Sequence, residues 1–283
     1  KGSLVKILSS DSQPLGLGMY NPDTSIRIRL ISHDSNCVLS QEFFEDRIKR
    51  LDSFKRVFLP GGTNAYRVVH SDADLLPGLI IDKYDSAVVF QIHTAGMDNY
   101  RNLIISAIKT VLSPSAIIER SDVEARKREG LEPIAPCVHC GTITKIVEFT
   151  ECGIRFTADV LEGQKTGFFL DQRDARARVR SLSNKKHVLD LFGHTGAFAV
   201  SAAIGGAESV MIVDSSRRCF DAAKTNFEMN GFLLSDDPVS KYSFLADDVF
   251  DLLHSDLVKR RAFDLIICDP PAFAKTGKNL PQA

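Results

Sequence analysis

Apolar and polar positions follow a different pattern in each of three regions of this chain, and each pattern marks a different kind of architecture. Residues 1–36 alternate apolar and polar side chains in Val5-Lys6-Ile7-Leu8 and again over residues 25–31, with Gly/Pro-rich turns between them. This spacing predicts a small β unit. Residues 37–169 read as α+β. Helical periodicity over 41–54 is followed by a strand at 65–69, a hairpin of 79–84 and 87–92 turning at Asp85-Ser86, a helix over 99–112 and a strand at 116–119. A second hairpin, 143–149 with 154–160, turns tightly at Glu151-Cys152-Gly153. From about residue 170, strands and helices alternate as in a doubly wound α/β domain. Gly205-Gly206 and Asn230-Gly231 stop its first two helices as left-handed caps would.

The third region carries the candidate chemistry. Val188-Leu189-Asp190-Leu191 is an apolar strand ending in an acid; glycines at 193 and 196 follow, then a small-residue helix from 197 to 203. Gly196 lets the backbone approach a ligand closely, and Asp190 can accept hydrogen bonds from a cationic group. The next strand, 209–213, ends in Asp214 and Ser215, where a carboxylate can take both hydroxyls of a ribose. A nicotinamide site is the obvious competitor. The loop lacks G-x-G-x-x-G, however, and Asp190 at its entrance repels a diphosphate while attracting a sulfonium or amine. Charge therefore favours S-adenosyl-L-methionine as cofactor.

A strand at 263–268 runs straight into Asp269-Pro270-Pro271, a turn made rigid by its prolines at the sheet's carboxyl edge. Asp269 and the neighbouring carbonyls can bond the edge of a base, and Phe273 offers a face for stacking it. Asp190, Asp214, Asp248 and Asp269 are expected to share that edge.

Composition adds limits. Hydrophobic residues at 44% and charged residues at 25% fit a globular protein of two or three domains, and no apolar run reaches membrane-spanning length. A net charge of -1 argues mildly against nucleic acid as partner. Local charge argues the other way, because Arg173, Arg176, Arg178, Arg180, Lys185 and Lys186 face a single nearby acid, Asp174.

The six cysteines form no regular framework. With no secretory signal, reduced thiols and a cytoplasmic location are expected. Cys137, His139, Cys140 and Cys152 cluster in sequence but lack two well-separated ligand pairs, so no metal is expected. Cys268 lies in an apolar strand where its thiol should be buried, which speaks against a nucleophilic role.

Taken together the chain resembles the PUA-domain-containing, class I S-adenosylmethionine-dependent cytosine-C5 methyltransferases of large-subunit (23S) ribosomal RNA. The stretches that carry the resemblance are Gly18-Met19-Tyr20-Asn21-Pro22, Asp74-Leu75-Leu76-Pro77-Gly78-Leu79-Ile80-Ile81-Asp82 and Arg120-Ser121-Asp122-Val123-Glu124-Ala125-Arg126-Lys127-Arg128-Glu129-Gly130. To these add Gly163-Gln164-Lys165-Thr166-Gly167-Phe168-Phe169-Leu170-Asp171-Gln172-Arg173 and Asp247-Asp248-Val249-Phe250. The resemblance implies a partial PUA barrel at 1–36, an α+β central domain at 37–169 and a Rossmann-like methyltransferase domain at 170–283. It places Asp190, Phe192, Thr195 and Gly196 at the methionine end of the donor, Asp214 at the ribose, Asp248 and Val249 at the adenine, and Gln172 reaching in from the preceding segment. Asp269, Pro270 and Phe273 become the catalytic turn, Arg173 and Arg176 the nearest RNA contacts, and a homodimer is implied.

Cytosine C5 is a weak nucleophile, so the resemblance also implies a cysteine thiolate that adds to C6. That cysteine, in a Ser/Thr-Cys-Ser segment, is expected beyond Ala283. The chain begins at Lys1, so both ends are expected to be shortened, with four strands of a seven-stranded sheet, a bare fourth strand and poor turnover. Guanine N7, which needs no thiolate, and a non-catalytic RNA-binding or ribosome-assembly protein are the alternatives.

Overall fold

A computed structural model describes residues 1–142, 144–255 and 261–271. The chain forms two compact units, one of residues 1–153 and 158–170, the other of residues 154–157 and 171–283.

The first unit opens with an antiparallel sheet of β1 (Ser3–Leu8), β2 (Pro14–Tyr20) and β3 (Ile28–Ser32), in that order. Strand β2 falls where the sequence reads as a Gly/Pro-rich turn. It forms because Leu17 and Met19 bury an alternate face while Gly18 sits opposite Val5 on one side and Leu30 on the other. Helix α1 (Gln41–Val57) starts at Ser40, whose hydroxyl accepts the Phe43 N–H, and buries Phe44 and Ile48. A mixed sheet follows, ordered β4 (Ala65–His70), β5 (Leu79–Tyr84), β6 (Ala87–Ile92), β7 (Ala116–Glu119), β8 (Cys137–Cys140). The expected hairpin is present with Tyr84 opposite Ala87 and Asp85 in the left-handed region at φ 52°. Helices α2 (Ala95–Asp98), α3 (Arg101–Leu112) and α4 (Ala125–Arg128) complete this part. Phe44, Ile48, Val68, Ile81, Phe90, Ile104 and Ile108 share one core.

Glu129, almost fully buried, ties the first sheet to the rest of its unit. Its carboxylate accepts the Asn21 amide at 2.9 Å and lies 3.6 Å from Arg29. Strand β8 carries Cys137, His139 and Cys140, and His139 Nε2 lies 2.9 Å from the buried carboxylate of Glu119. Among the described residues no group of three or more side chains could hold a metal ion. Nor is any described helix long and apolar enough to cross a membrane. Strands β9 (Ile146–Glu151) and β10 (Ile154–Asp159) form the second hairpin, turning through Cys152 and Gly153 at φ 53° and 79°.

The second unit is an α/β layer. After α5 (Arg173–Leu182) come β11 (His187–Leu191), α6 (Ala197–Ile204), β12 (Ser209–Val213), α7 (Arg217–Met229), β13 (Tyr242–Leu245), α8 (Val249–His254) and β14 (Leu265–Cys268). The sheet is all parallel, ordered β13-β12-β11-β14. Its register sets Leu191 beside both Val213 and Cys268, and Val213 beside Leu245, so the four carboxyl ends lie in one row. This is the edge at which open α/β sheets bind ligands.

Cys268 corrects an expectation. Among the described residues it is exposed, not buried, on a strand that alternates, with Ile267 inward and Ile266 57% exposed.

Candidate functional site

The site grows from the loop between β11 and α6. Phe192, His194 and Gly196 all take left-handed backbone conformations, at φ 58°, 48° and 69°. Two of these three are non-glycine residues, so the loop stores conformational strain of roughly 1–2 kcal/mol per residue. Hydrogen bonds hold it: Gly196 N–H donates to the Gly193 carbonyl at 2.8 Å, and Gly193 N–H to Val213 at 3.1 Å. Space is the second constraint. A Cβ on Gly193 would lie 2.4 Å from Ile212 Cγ2 and 3.1 Å from Asp190 Oδ2.

Asp190 sits beneath this loop, 1% exposed. Burial pushes its carboxyl up to about 8; an Ala199 backbone hydrogen bond opposes that shift, and the charges of Asp269 and Asp214 add to it. Its Oδ2 is buried with no hydrogen-bond partner. Such a group is stabilised by a cation and destabilised by an anion.

Asp214 caps the neighbouring strand. Its Oδ2 accepts the His194 N–H at 3.0 Å and its Oδ1 the Ser216 N–H at 2.9 Å. Each oxygen keeps a lone pair for a ligand hydroxyl. Ser215 is exposed beside it. One strand further out, Asp248 is the N-cap of α8, its Oδ1 accepting from Phe250 and Asp251 at 2.8 and 3.2 Å, while Val249 is buried. The Phe250 ring stands 6.2 Å from that of Phe192, edge to face.

On the far side Asp269, Pro270 and Pro271 follow β14 and are exposed. Phe273, the expected stacking ring, lies outside the described residues. Gln172 is half-buried at the N-terminus of α5, and Arg173 is also half-buried, 3.8 Å from Asp174. Arg176 is a correction. Expected to face RNA, it is instead 3% exposed, because α5 turns that side inward.

The arrangement also includes residues to which the sequence assigned no role. Asn226 on α7, fully buried, donates its amide to the Thr195 carbonyl at 2.9 Å and accepts the Thr157 N–H at 2.9 Å and hydroxyl at 3.0 Å. His194 has its imidazole held below the usual range by burial, against an opposing pull from Asp214. The crowding that demands glycine at 193 is equally a property of the packed structure.

The orphaned Asp190 oxygen, the glycine-shaped loop and the doubly anchored Asp214 fit a cationic ribonucleoside. They define a class I methyl-donor fold, and the comparisons agree. The chain belongs to the S-adenosylmethionine-dependent methyltransferase family, which matches residues 130–283, and a PUA-like domain matches residues 1–33. It is an enzyme of that class, with S-adenosylmethionine as its cofactor.

The particular relatives share one name. The chain is 38% identical over 283 residues to ribosomal RNA large subunit methyltransferase I of Pseudoalteromonas translucida (strain TAC 125), covering 100% of this chain and 70% of that protein. It is 36% identical over 284 residues to the protein of the same name from Yersinia pseudotuberculosis serotype O:1b, with the same coverage. Among solved structures, SMU.776 complexed with SAH (S-adenosylhomocysteine) matches with a TM-score of 0.83 at 26% identity, covering 97% of this chain and 69% of that one. A methyltransferase from Agrobacterium tumefaciens shares the fold, with a TM-score of 0.54 at 19% identity over 76% of this chain and 62% of that one.

Proposed function

We propose that this enzyme methylates large-subunit ribosomal RNA, at C5 of a cytosine. The observation that carries the donor half of this reading is the buried, partnerless Asp190 oxygen at the head of the strained 192–196 loop. Supporting the RNA half are the name shared by the relatives and the PUA-like match at residues 1–33.

S-adenosylmethionine, when bound, supplies an electrophilic methyl group on a sulfonium. The protein's own groups then divide the work. Asp190 as carboxylate accepts the ammonium of the methionine end, with Phe192, Thr195 and Gly196 shaping the loop around it. Asp214, already fixed by two backbone N–H groups, takes the ribose hydroxyls beside Ser215. Asp248 and Val249 border the adenine, and Gln172 reaches the donor from the start of α5. Asp269 and Pro270 form the stiff turn that receives the target base, with Phe273 as its stacking partner and Arg173 as a contact to the RNA backbone. Attack at C5 needs a thiolate added to C6 to make C5 electron-rich.

In the same reading, residues 1–36 form a PUA-like RNA-binding part, 37–169 a central platform and 170–283 the methyltransferase domain. The enzyme works in the cytoplasm as a homodimer. Titration calorimetry with S-adenosylhomocysteine tests the donor site: binding should be present in the parent protein and lost in Asp190→Ala. Mass spectrometry of large-subunit rRNA tests the product, 5-methylcytosine. A methyl group on guanine N7 instead would overturn the C5 assignment.

A further inference from the structure

Helix α1 carries a surface that the methyl-donor site does not use. Its core face is closed by Phe44 and Ile48, both fully buried. An adjacent face carries Phe43, half-buried against the core, and then Arg47, Arg50, Phe54 and Phe58, at spacings of three and four residues that align them along one side. Phe54 and Phe58 are 60% and 68% exposed, with Val57 beside them at 77%. Their rings meet edge to face, centroids 5.1 Å apart. Arg47 already stacks on an aromatic face, its guanidinium 5.0 Å from the Phe43 centroid. Aromatic rings interleaved with arginines along one line are unlike the scattered single apolar residues of an ordinary surface.

Charge decides the occupant. Between residues 43 and 58 there are five cations, Arg47, Lys49, Arg50, Lys55 and Arg56, and three acids, Glu45, Asp46 and Asp52. Lys55 is taken by Asp74 at 2.6 Å, and Arg56 by Asp52 at 2.9 Å. Arg50 pairs with Asp46 at 2.9 Å, but with side chains 76% and 56% exposed the pair is weak and easily exchanged for another anion. Arg47 and Arg50 therefore remain available on the same side as the rings. A second copy docked on the same stripe through a two-fold axis at its centre would set Arg50 against its own counterpart, which is unfavourable. A strand carrying both flat bases and phosphates satisfies rings and guanidinium groups together.

We propose that this face of α1 is a sequence-tolerant platform for single-stranded RNA, with bases stacked on Phe54 and Phe58 and phosphates on Arg47 and Arg50. The inference rests on the reading of RNA as substrate and names a contact outside the methyl-donor site.

Fluorescence anisotropy with a labelled single-stranded oligouridylate tests it on the full chain. Phe54→Ala/Phe58→Ala should weaken binding by roughly tenfold per ring. Phe54→Leu/Phe58→Leu, which keeps apolar area and removes the rings, should weaken it nearly as much. Arg47→Gln/Arg50→Gln should lower the salt dependence by about 1.4, from about 0.7 per phosphate contact. In all three, affinity for S-adenosylhomocysteine and the melting temperature should stay at the parent values. The platform is refuted if the parent fails to bind oligouridylate, or if the alanine pair binds it within about twofold of the parent. It is equally refuted if the alanine pair only dissociates a dimer, which would make the face a self-interface. Absence of S-adenosylhomocysteine binding by the parent would strike the methyltransferase reading and leave this one standing.

Discussion

The Asn226 side chain donates its amide hydrogen to the Thr195 carbonyl at 2.9 Å from inside the second unit, where no part of Asn226 is exposed. The same side chain accepts from Thr157 twice, so one residue of α7 fastens the ligand loop to β10. Asn226→Ala should leave buried groups unpaired at a cost of about 1–3 kcal/mol and weaken S-adenosylhomocysteine binding as the loop loosens. Asn226→Asp keeps the acceptors but sets a fully buried carboxyl against the Thr195 carbonyl, so it should cost more stability than Asn226→Ala and weaken binding as well. Urea denaturation and calorimetry on the two variants check this. Equal losses in both quantities for both variants would contradict a positioning role.

Asp190 makes stability and binding depend on pH in opposite senses. Its folded value is about 8, against about 3.9 for an unfolded aspartate. Between those values the folded protein holds a proton that the unfolded chain has lost. Stability contributed by this group is therefore greatest near pH 4, falls as pH rises, and levels off above about pH 8. His194 adds the reverse slope, since its lowered value means the unfolded chain takes up the extra proton at acid pH. Subtracting the curve of Asp190→Asn isolates the aspartate. Without ligand, that variant should be more stable than the parent at pH 8. S-adenosylhomocysteine brings an ammonium to the carboxylate, so its affinity should rise with pH toward about 8, with proton release on binding below that. Calorimetry in two buffers of different ionisation enthalpy reads the released proton. A binding heat independent of buffer at pH 6.5 would show that Asp190 is already ionised.

Much of the fold was legible because it is local. The hairpin of β5 and β6 and the strands ending at Leu191, Val213 and Cys268 follow from side-chain period and turn residues. An acid directly after such a strand lies at the carboxyl edge, which is why Asp214 and Asp269 could be placed from sequence. What escaped depends on distant neighbours. Strand β2 hides behind glycines until β1 and β3 flank it. Arg176 reads as surface by charge, yet its helix turns it inward. An apolar run does not show which of its residues alternate outward, so the exposure of Cys268 required the packed structure. Asn226 meets Thr195 from 31 residues away, with no local signal.

Glycine at 193 answers to packing, and substitution can separate that from backbone strain. A Cβ there would press on Ile212 at 2.4 Å, whereas at Gly231, which is left-handed at φ 81°, it would meet nothing within 4 Å. Gly231→Ala should cost only the backbone preference, about 1–2 kcal/mol. Gly193→Ala should cost about 1–3 kcal/mol through overpacking and should also displace Asp190, abolishing S-adenosylhomocysteine binding. At Gly196, with φ 69° and a Cβ position 3.0 Å from the Ala223 Cβ, both effects combine. Melting temperatures and calorimetry of the three variants give the order. Retained binding in Gly193→Ala would mean that Ile212 yields and the cradle is not rigid.

In the first unit Asp82 is fully buried. Arg67 donates to it from Nε at 2.8 Å and Nη2 at 2.9 Å, and the Thr166 hydroxyl donates at 2.6 Å. Tyr84, 2.9 Å from that hydroxyl, has its phenol pushed far up by burial, so it stays neutral and serves only as a hydrogen-bonding group. Thr166 belongs to the Gly-Gln-Lys-Thr-Gly stretch at 163–167, so Asp82 is the anchor that fixes this loop. Asp82→Ala should destabilise by about 3–5 kcal/mol, because it removes one member of a buried ion pair and strands the others. Arg67 is partly exposed, which places the expected loss toward the lower end of that range. Replacing both members, as Asp82→Leu with Arg67→Met, should recover part of the loss, since neither charge is then left behind. Urea denaturation of the single and double variants decides it: a double variant less stable than Asp82→Ala would show that the anchor works through specific geometry, not through compensation of buried charge.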